Sequence, residues 1–589
     1  MSKYRLAKYC SQYLSQFSHH ALIACVMVFA TVGTAFPVHV HAAPALDPAA
    51  QEQLRQHERE RVLRKQLESD ADVRLPRDQE KIDAGRLPDN ETPCFPISRI
   101  SLSGDAHEHF QFALNSVTQG ADSVVGRCLG TKGINVVLAR MQNAVVARGY
   151  VTTRILAAPQ DLKSGDLILT VIPGRVRAIR FASGASPRGT KWNALPVNSG
   201  DILNLRDIEQ GLENFKRVPT AEADIRIEPA DSPDARPGES DLVISYQQVF
   251  PFRLTLSADD AGSSATGKYQ GGVTISYDNW WTLNDLFYVS LNNDMGGGDA
   301  GSRGTRGYTL HYSLPFGYWT VAATSSANQY HQAVAGANQS YLYRGESENS
   351  EVKLSRLIYR DAVRKTTLSL RGFLRNSHNF IDDTEVEVQR RRTAGWEAAL
   401  GHREFIGTAT LDMNLAYRRG TGAFDALPAP EEAFGEGASR PAIITADAAF
   451  NVPFTLGERR LRYNGAWRAQ WNRTPLIAQD RFAIGGRYTV RGFDGESVLS
   501  AERGWFIRND LGLSLGASAQ EIYLGLDYGE VGGPSSEFLL GNRLAGAVLG
   551  LRGGFKKLQY DVFVGQPIKK PQGFRTASTT AGFNLNWSF

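Results

Sequence analysis

The side chains with the most specific chemistry lie in RFAIGGRYTVRGFDGESVLSAERGWFIRND, a long glycine-rich loop from Arg481 to Asp510 set among short alternating strands. At its centre stands Val490-Arg491-Gly492-Phe493. A guanidinium held in such a loop can make a planar, two-bond, charge-assisted pair with a carboxylate, which fixes position and breaks no bond. Motifs for bond breaking are missing: there is no HExxH and no GxxxxGK[ST], and the 11 histidines fall at no ligand spacing. His107 with His109 reads as an exposed loop pair. No catalytic residue, metal or cofactor is expected, and a surface hydrolase built from dispersed Asp and His ranks last among the readings.

Sulfur chemistry depends on where the chain resides. Lys3, Arg5 and Lys8, the apolar run from Ala21 to Phe36 and then Val40-His41-Ala42 have the layout of a secretory signal over residues 1–42, with an apolar core too short to span a membrane comfortably. Cys10 and Cys25 would leave with it. Cys94 and Cys128 would remain in an oxidising compartment, where a disulfide is the natural expectation and two buried thiols the alternative.

A chain of 589 residues is too long for one growing core, so several domains are expected. Its 57 glycines, 10% aromatic content and negative mean hydropathy exclude both a disordered chain and a bundle of apolar helices, so any membrane crossing must use strands. The net charge of +4 is a small difference between 65 basic and 61 acidic residues without basic blocks, which gives no reason to expect nucleic acid as a partner.

Residues 48–70 are rich in helix formers, yet their apolar positions are only Leu54, Val62, Leu63 and Leu67, too few for a core-facing stripe. The plain reading is a solvated helical spacer, followed by a linker over 71–93. Residues 94–174 read as a small α+β module: a strand over Phe95–Leu102, a helix over Gly133–Arg148 with Ile134, Leu138, Met141 and Val145 on one face, and strands over Tyr150–Ala157 and Asp166–Ile172. A second module spans 175–249, with Asn204 capping a helix that carries Ile208, Leu212 and Phe215, and strands over Ile225–Glu228 and Leu242–Gln247.

From residue 250 to Phe589 the helical period gives way to period-two runs of about ten residues, which a barrel with lipid-facing and lumen-facing sides requires. In the last run Phe583, Leu585, Trp587 and Phe589 share one face, and the terminal Phe589 marks the barrel's end. Strands fall near 252, 268, 285, 305, 317, 347, 364, 391, 408, 441, 460, 503, 520, 543, 557 and 579, sixteen in all. An even number closes an antiparallel barrel with no unpaired edge in lipid. The long gaps, Gln329–Gly345, Phe380–Gln389, Thr421–Ser439 and Pro475–Glu502, all follow odd-numbered strands and so belong on one side, the outside.

The VRGF segment, with Arg481-Phe482, Gly485-Gly486 and Arg508-Asn509 around it, resembles the loop signature of the two-partner secretion transporters, the TpsB family that exports haemolysins, adhesins and contact-dependent toxins. Cys94-Phe95-Pro96-Ile97, Cys128-Leu129-Gly130, Gly149-Tyr150-Val151-Thr152 and Gln160-Asp161-Leu162 resemble that family's first POTRA domain. The resemblance implies a mainly β protein: a 16-stranded outer-membrane barrel, two periplasmic POTRA domains and an N-terminal helix that plugs the lumen. It also implies that the loop over 475–503 folds into the barrel, where Arg491 meets a carboxylate of the inner wall. The matching position is Asp527, in Leu526-Asp527-Tyr528-Gly529, and alternation puts Asp527 and Gly529 on the face opposite Ile522, Leu524 and Leu526. The alternative leaves Arg491 and Asp527 as ordinary lumen residues.

The implied function is export of a large, unfolded TpsA-type exoprotein, received by the POTRA domains through added strands and passed through the barrel. Further implied partners are outer-membrane lipid and, for the barrel's own insertion, periplasmic chaperones and barrel-assembly machinery. A barrel-assembly insertase of the BamA kind is the nearest alternative, although such proteins usually carry more POTRA units. A diffusion porin is disfavoured, since it has no use for the residues that precede the barrel.

Overall fold

The computed structural model describes residues 48–68, 71–75, 85–516 and 518–589. The expected signal segment, and the linker positions 76–84, lie outside them. Among the described residues no helix is long and apolar enough to cross a membrane.

Helix α1 (Pro48–Leu67) is polar on all sides and carries Arg64 and Lys65 in its last turn, where cations suit the helix dipole. The first module follows, with β1 (Phe95–Ile97), β2 (Arg99–Gly104), β3 (Arg127–Leu129), α2 (Thr131–Ala147), β4 (Arg154–Leu156) and β5 (Asp166–Ile172). β1 pairs β3, while β5 lies between β2, parallel to it, and β4, antiparallel. The single strand expected over Phe95–Leu102 is therefore two strands in two sheets. The break falls at Ser98, where the amides of Ser98 and Arg99 both donate to Gly165 O (2.8 and 3.1 Å) and turn the chain. The strand expected from Tyr150 is likewise cut to Arg154–Leu156, because residues 150–153 form a turn whose Tyr150 ring packs on Phe110. Val137, Met141 and Val145 of α2 are the buried stripe, with Ile134 and Leu138 beside it. A Cys94–Cys128 disulfide ties the start of β1 to β3.

The second module comprises β6 (Arg175–Phe181), α3 (Leu205–Lys216), β7 (Ala221–Pro229) and β8 (Glu239–Gln248), in sheet order β6-β8-β7. Asn204 caps α3, its side-chain oxygen accepting from Arg206 N at 2.9 Å, and Ile208, Leu212 and Phe215 are buried. The alternation of β6 is hidden in the sequence because its register slips between Val176 and Ile179. This module sits on the barrel's lower rim: Asn214 Nδ2 donates to Gly317 O (2.7 Å) and Arg217 to Ser313 O (3.0 Å).

The barrel runs through β9 (Phe252–Asp259), β10 (Gln270–Asp278), β11 (Leu286–Asp294), β12 (Arg303–Phe316), β13 (Trp319–Ala335), β14 (Ser340–Arg360), β15 (Arg364–Ile381), the two-residue return β16 (Thr384–Glu385), β17 (Arg391–Ile406), β18 (Ala409–Thr421), β19 (Ala442–Leu456) and β20 (Arg459–Asn472). A loop containing the small hairpin β21 (Phe482–Ile484) and β22 (Leu499–Ala501) intervenes. The wall then resumes with β23 (Arg503–Ser514), β24 (Glu521–Gly532), β25 (Arg543–Phe555), β26 (Leu558–Lys569) and β27 (Thr580–Ser588), which pairs back onto β9. Sixteen antiparallel spanning strands close the barrel. Phe589 extends the closing pair, its amide donating to Leu254 O at 2.9 Å.

Alternation sorts the wall into two faces. On β24, Ile522, Leu524 and Leu526 are 40–50% exposed on the outside, while Tyr523 and Asp527 are 1% and 3% exposed within. The gap expected at Gln329–Gly345 is not a loop. β13 and β14 stay paired up to Ala335↔Ser340, leaving only residues 336–339 between them, because Tyr330 and Tyr343 keep the inward alternation and pack on Ala49 of α1.

Candidate functional site: a loop arginine seated on the inner wall

The segment over 473–502 enters the lumen. Its hairpin β21–β22 lays Phe482, Ile484, Leu499 and Ala501 against Phe506, Val531 and Leu544 of the wall, and Val490 and Phe493 complete this apolar cluster inside the barrel. Burying those side chains seats the loop, and the polar tip between them is thereby aimed. Arg491 Nε donates to Asp527 Oδ2 at 2.7 Å and its Nη2 to Asp527 Oδ1 at 2.8 Å, a two-bond fork. The Arg491 amide adds a third bond to the same carboxylate, at 2.9 Å. The structure thus brings Arg491 and Asp527 together, with both side chains almost fully buried.

Two groups join them that sequence reasoning missed. Asp510 on β23 accepts from Arg491 Nη2 at 2.5 Å, and Arg552 on β25 donates to Asp510 at 3.0 Å and to Glu521 at 2.8 Å. Arg462 on β20 also donates to Glu521, at 2.7 Å. Carboxylates and guanidiniums therefore alternate along the inner wall from the loop tip toward the lower rim. Asp510 closes the very segment that carries the motif, and its place on the same strand face as Arg508 was the available signal. Arg508 itself lies 3.9 Å from Asp527.

Glycines make this approach feasible. A Cβ at Gly546 would fall 1.9 Å from Arg491 O, and one at Gly529 would fall 2.8 Å from Val490 Cγ2. Gly492 has φ +92°, and a side chain there would meet Gln566 O at 2.5 Å. The loop backbone lies directly on the wall, which only residues without side chains permit. Of these wall positions Gly529 was legible in the sequence and Gly546 was not, since a glycine in a strand signals close approach without naming its partner.

Helix α1 shares the lumen. Its outer end is hydrogen-bonded to the loop and its neighbours: Gln51 donates to Glu496 O (2.9 Å), Arg55 donates to Gly495 O (2.8 Å), and Glu52 accepts from the Thr266 hydroxyl (3.1 Å). Further down, Arg61 pairs with Asp447 at 2.7 Å, Glu58 with Arg468, Arg64 with Glu351, and Glu68 accepts from Tyr288 Oη at 2.8 Å. A helix without an apolar stripe is at home among such partners. No group of side chains suited to a metal ion occurs among the described residues.

Asp207 on α3 marks the junction of module and barrel, where it accepts from the Tyr318 hydroxyl. Burial pushes its carboxyl above the ordinary aspartate range, with the Tyr318 bond opposing. In the first module the hydrogen bond from Arg140 holds the Asp122 carboxyl below that range.

Residues 238–553 match the family described as haemolysin secretion/activation protein ShlB/FhaC/HecB, residues 95–174 the ShlB-type POTRA domain and residues 175–229 a POTRA domain. Outer membrane transporter CdiB-2 of Burkholderia pseudomallei is 35% identical over 563 residues, which cover 92% of this chain and 95% of the relative. The solved structure of CdiB from Acinetobacter baumannii is similar at 30% identity and a TM-score of 0.81, over 92% of this chain and 99% of that one. CdiB from Escherichia coli follows at 25% identity and a TM-score of 0.78, with the same coverage.

Proposed function

The chain belongs to the haemolysin secretion/activation protein family ShlB/FhaC/HecB, the two-partner secretion transporters of the outer membrane, and from that premise we propose how its parts divide the work of export. The POTRA domains lie in the periplasm and the exported partner is a large TpsA-type exoprotein. They receive this partner unfolded. The barrel lumen is its route, α1 fills that route at rest and leaves it during transport, and the Arg491 loop stays in place as a fixed inner fitting. Transport involves no catalytic step. No phosphate-binding loop occurs in the sequence, so direction comes from folding of the partner outside and from suppressed backsliding. Barrel-assembly machinery and periplasmic chaperones serve the chain's own insertion.

The observation that carries this reading is α1 itself: a helix polar on every side, inside the barrel, held along most of its length by pairs between polar side chains. The test is deletion of the gene and its restoration by wild-type and Arg491→Ala versions, with the large exoprotein encoded nearby assayed in the medium and at the cell surface. Loss on deletion, return with wild type and near-loss with an Arg491→Ala barrel present in normal amount is the expected result. Appearance of the exoprotein without this chain would refute the translocase role.

A further inference from the structure

The second POTRA domain is riveted to the barrel through a short helical turn, Lys191–Ala194, and the rivet is Asn193. Its side chain is fully buried. The amide nitrogen donates to Leu283 O and, at 3.2 Å, to Pro315 O, and the side-chain oxygen accepts from Asn284 Nδ2 at 2.8 Å. The Asn193 carbonyl accepts from Gly317 N at 2.8 Å, and Asn284 donates to Thr190 O at 2.8 Å. Residues 279–285 join β10 to β11 and residues 317–318 join β12 to β13, so Asn193 is gripped by two neighbouring turns of the lower rim.

With Asn193 held inward, its neighbour Trp192 is turned outward. Trp192 is 62% exposed and stands edge-on to Phe316, itself 54% exposed, with ring centres 5.7 Å apart. Phe316 ends the outward row of β12, which also carries Tyr308 and Leu310, and it pairs across the turn with the outward Trp319 of β13. The exposed Arg356 of β14 lies over the Trp319 ring at 4.9 Å. Lys191 is exposed beside Trp192, with one of its three donors spent on Ile179 O.

A large exposed aromatic on a water-soluble domain marks a contact surface. The neighbours of Trp192 say which. An indole, apolar across its body with one N–H, suits the boundary of lipid and water, and girdles of aromatic residues mark that boundary on outer-membrane barrels. Phe316 and Trp319 belong to such a girdle, and Trp192 continues it from a different domain. Lys and Arg beside such rings lay their stems on apolar surface and extend their charges to headgroups.

We propose that the second POTRA domain is itself seated in the periplasmic leaflet of the outer membrane: Trp192 inserts near the glycerol level of the phospholipids, and Lys191 and Arg356 reach headgroup phosphates on either side of it. The domain then has two attachments of different kind, the Asn193 rivet to the barrel turns and a lipid contact beside it. Lipid thereby resists tilting of the domain away from the barrel mouth. The inference needs only the barrel's place in the outer membrane, and it holds or fails independently of what the chain exports.

The test uses the full-length chain in vesicles of phosphatidylethanolamine and phosphatidylglycerol, with a bimane label on Trp192→Cys in a chain whose Cys10 and Cys25 are serine. Cys94 and Cys128 are tied in their disulfide and take no label. Nitroxide lipids labelled at the headgroup, near the glycerol or at the end of the acyl chain report depth. The same label on Phe316→Cys, in the girdle, and on Lys163→Cys, exposed in the first POTRA domain, brackets the scale. The label at 192 is expected to lose emission most to the nitroxide near the glycerol, as the label at 316 does, while the label at 163 keeps its emission with all three lipids. Adding Lys191→Gln and Arg356→Gln should lower the ratio of lipid-contacting to free label about fivefold for each cation removed. Heat-modifiable mobility reports that each barrel is folded. A label at 192 that is quenched no more than the one at 163, or that is shielded only when exoprotein is added, assigns this surface to water or to a protein partner and overturns the proposal. Unchanged quenching in the Lys191→Gln/Arg356→Gln chain overturns the assignment of the phosphates.

Discussion

The loop tip and α1 lie side by side in one lumen, yet they are held by opposite means. At the tip, Val490 and Phe493 are buried in an apolar cluster, Arg491 makes four polar contacts while almost fully buried, and the backbone rests on glycines. Along α1, contacts are between long charged side chains, and Arg61, which reaches Asp447, is half exposed. Apolar burial and desolvated forks are costly to undo, whereas wet ion pairs exchange readily with water. The contrast is what the proposed division of work requires, with the loop as a permanent part of the barrel and the helix as a removable one.

The strongest way to break the contrast is Arg491→Ala. It strands Asp527, while Asp510 keeps Arg552, and removing one partner of a buried pair costs about 3–5 kcal/mol. Exoprotein secretion is expected to fall to background while the amount of heat-modifiable barrel holds. Arg491→Lys should recover little, since an ammonium cannot make the fork. Secretion by the alanine variant at wild-type level would show that the loop lock is dispensable. Next in size is Gly546→Ala, whose new methyl lands on the Arg491 carbonyl. Overpacking of this kind costs about 1–3 kcal/mol. Secretion should drop severalfold, with an increase in single-channel conductance as the tip lifts from the wall.

These two variants also mark how far the sequence could be read. Alternation on β24 separates Ile522, Leu524 and Leu526 from Tyr523 and Asp527 unaided, because lipid demands an apolar face and the lumen does not. The sixteen strands were legible for the same reason. Choosing Asp527 as partner of Arg491 needed the family resemblance, and the second carboxylate, Asp510, remained unread because alternation gives the face of a residue and not its neighbour. The contacts of α1 were further out of reach: Gln51 and Glu496 are 445 residues apart, and nothing local records the pairing. Where local pattern misled, another part of the chain had intervened, as when Gly165 broke the strand expected over Phe95–Leu102.

The contrast sharpens on the helix side with Arg468→Ala, which removes a partner of Glu58 and of Asp447. Pairs of this partly hydrated kind contribute about 0.2–1 kcal/mol each. Bilayer recordings should show more frequent opening to a larger conductance, with secretion kept within about fivefold of wild type, the factor to which about 1 kcal/mol corresponds. A secretion loss as deep as that of Arg491→Ala would place the helix among the fixed parts and end the distinction.

The smallest expected effect belongs to the junction beneath both regions. Burial raises the Asp207 carboxyl above its unfolded value, so the folded chain favours the protonated form. Its contribution to stability is then fully present below the ordinary aspartate range, near pH 4, and is lost as pH rises through the raised folded value. Asp207→Asn, neutral at every pH and still able to accept from the Tyr318 hydroxyl, removes that dependence. Thermal unfolding followed from pH 4 to 7 should therefore show wild type losing stability relative to the variant as pH rises through that window. A wild-type chain that instead gains on the variant would mean the Asp207 carboxylate is stabilised at this rim, and that the POTRA domain docks through charge, as α1 does, and not through burial, as the loop does.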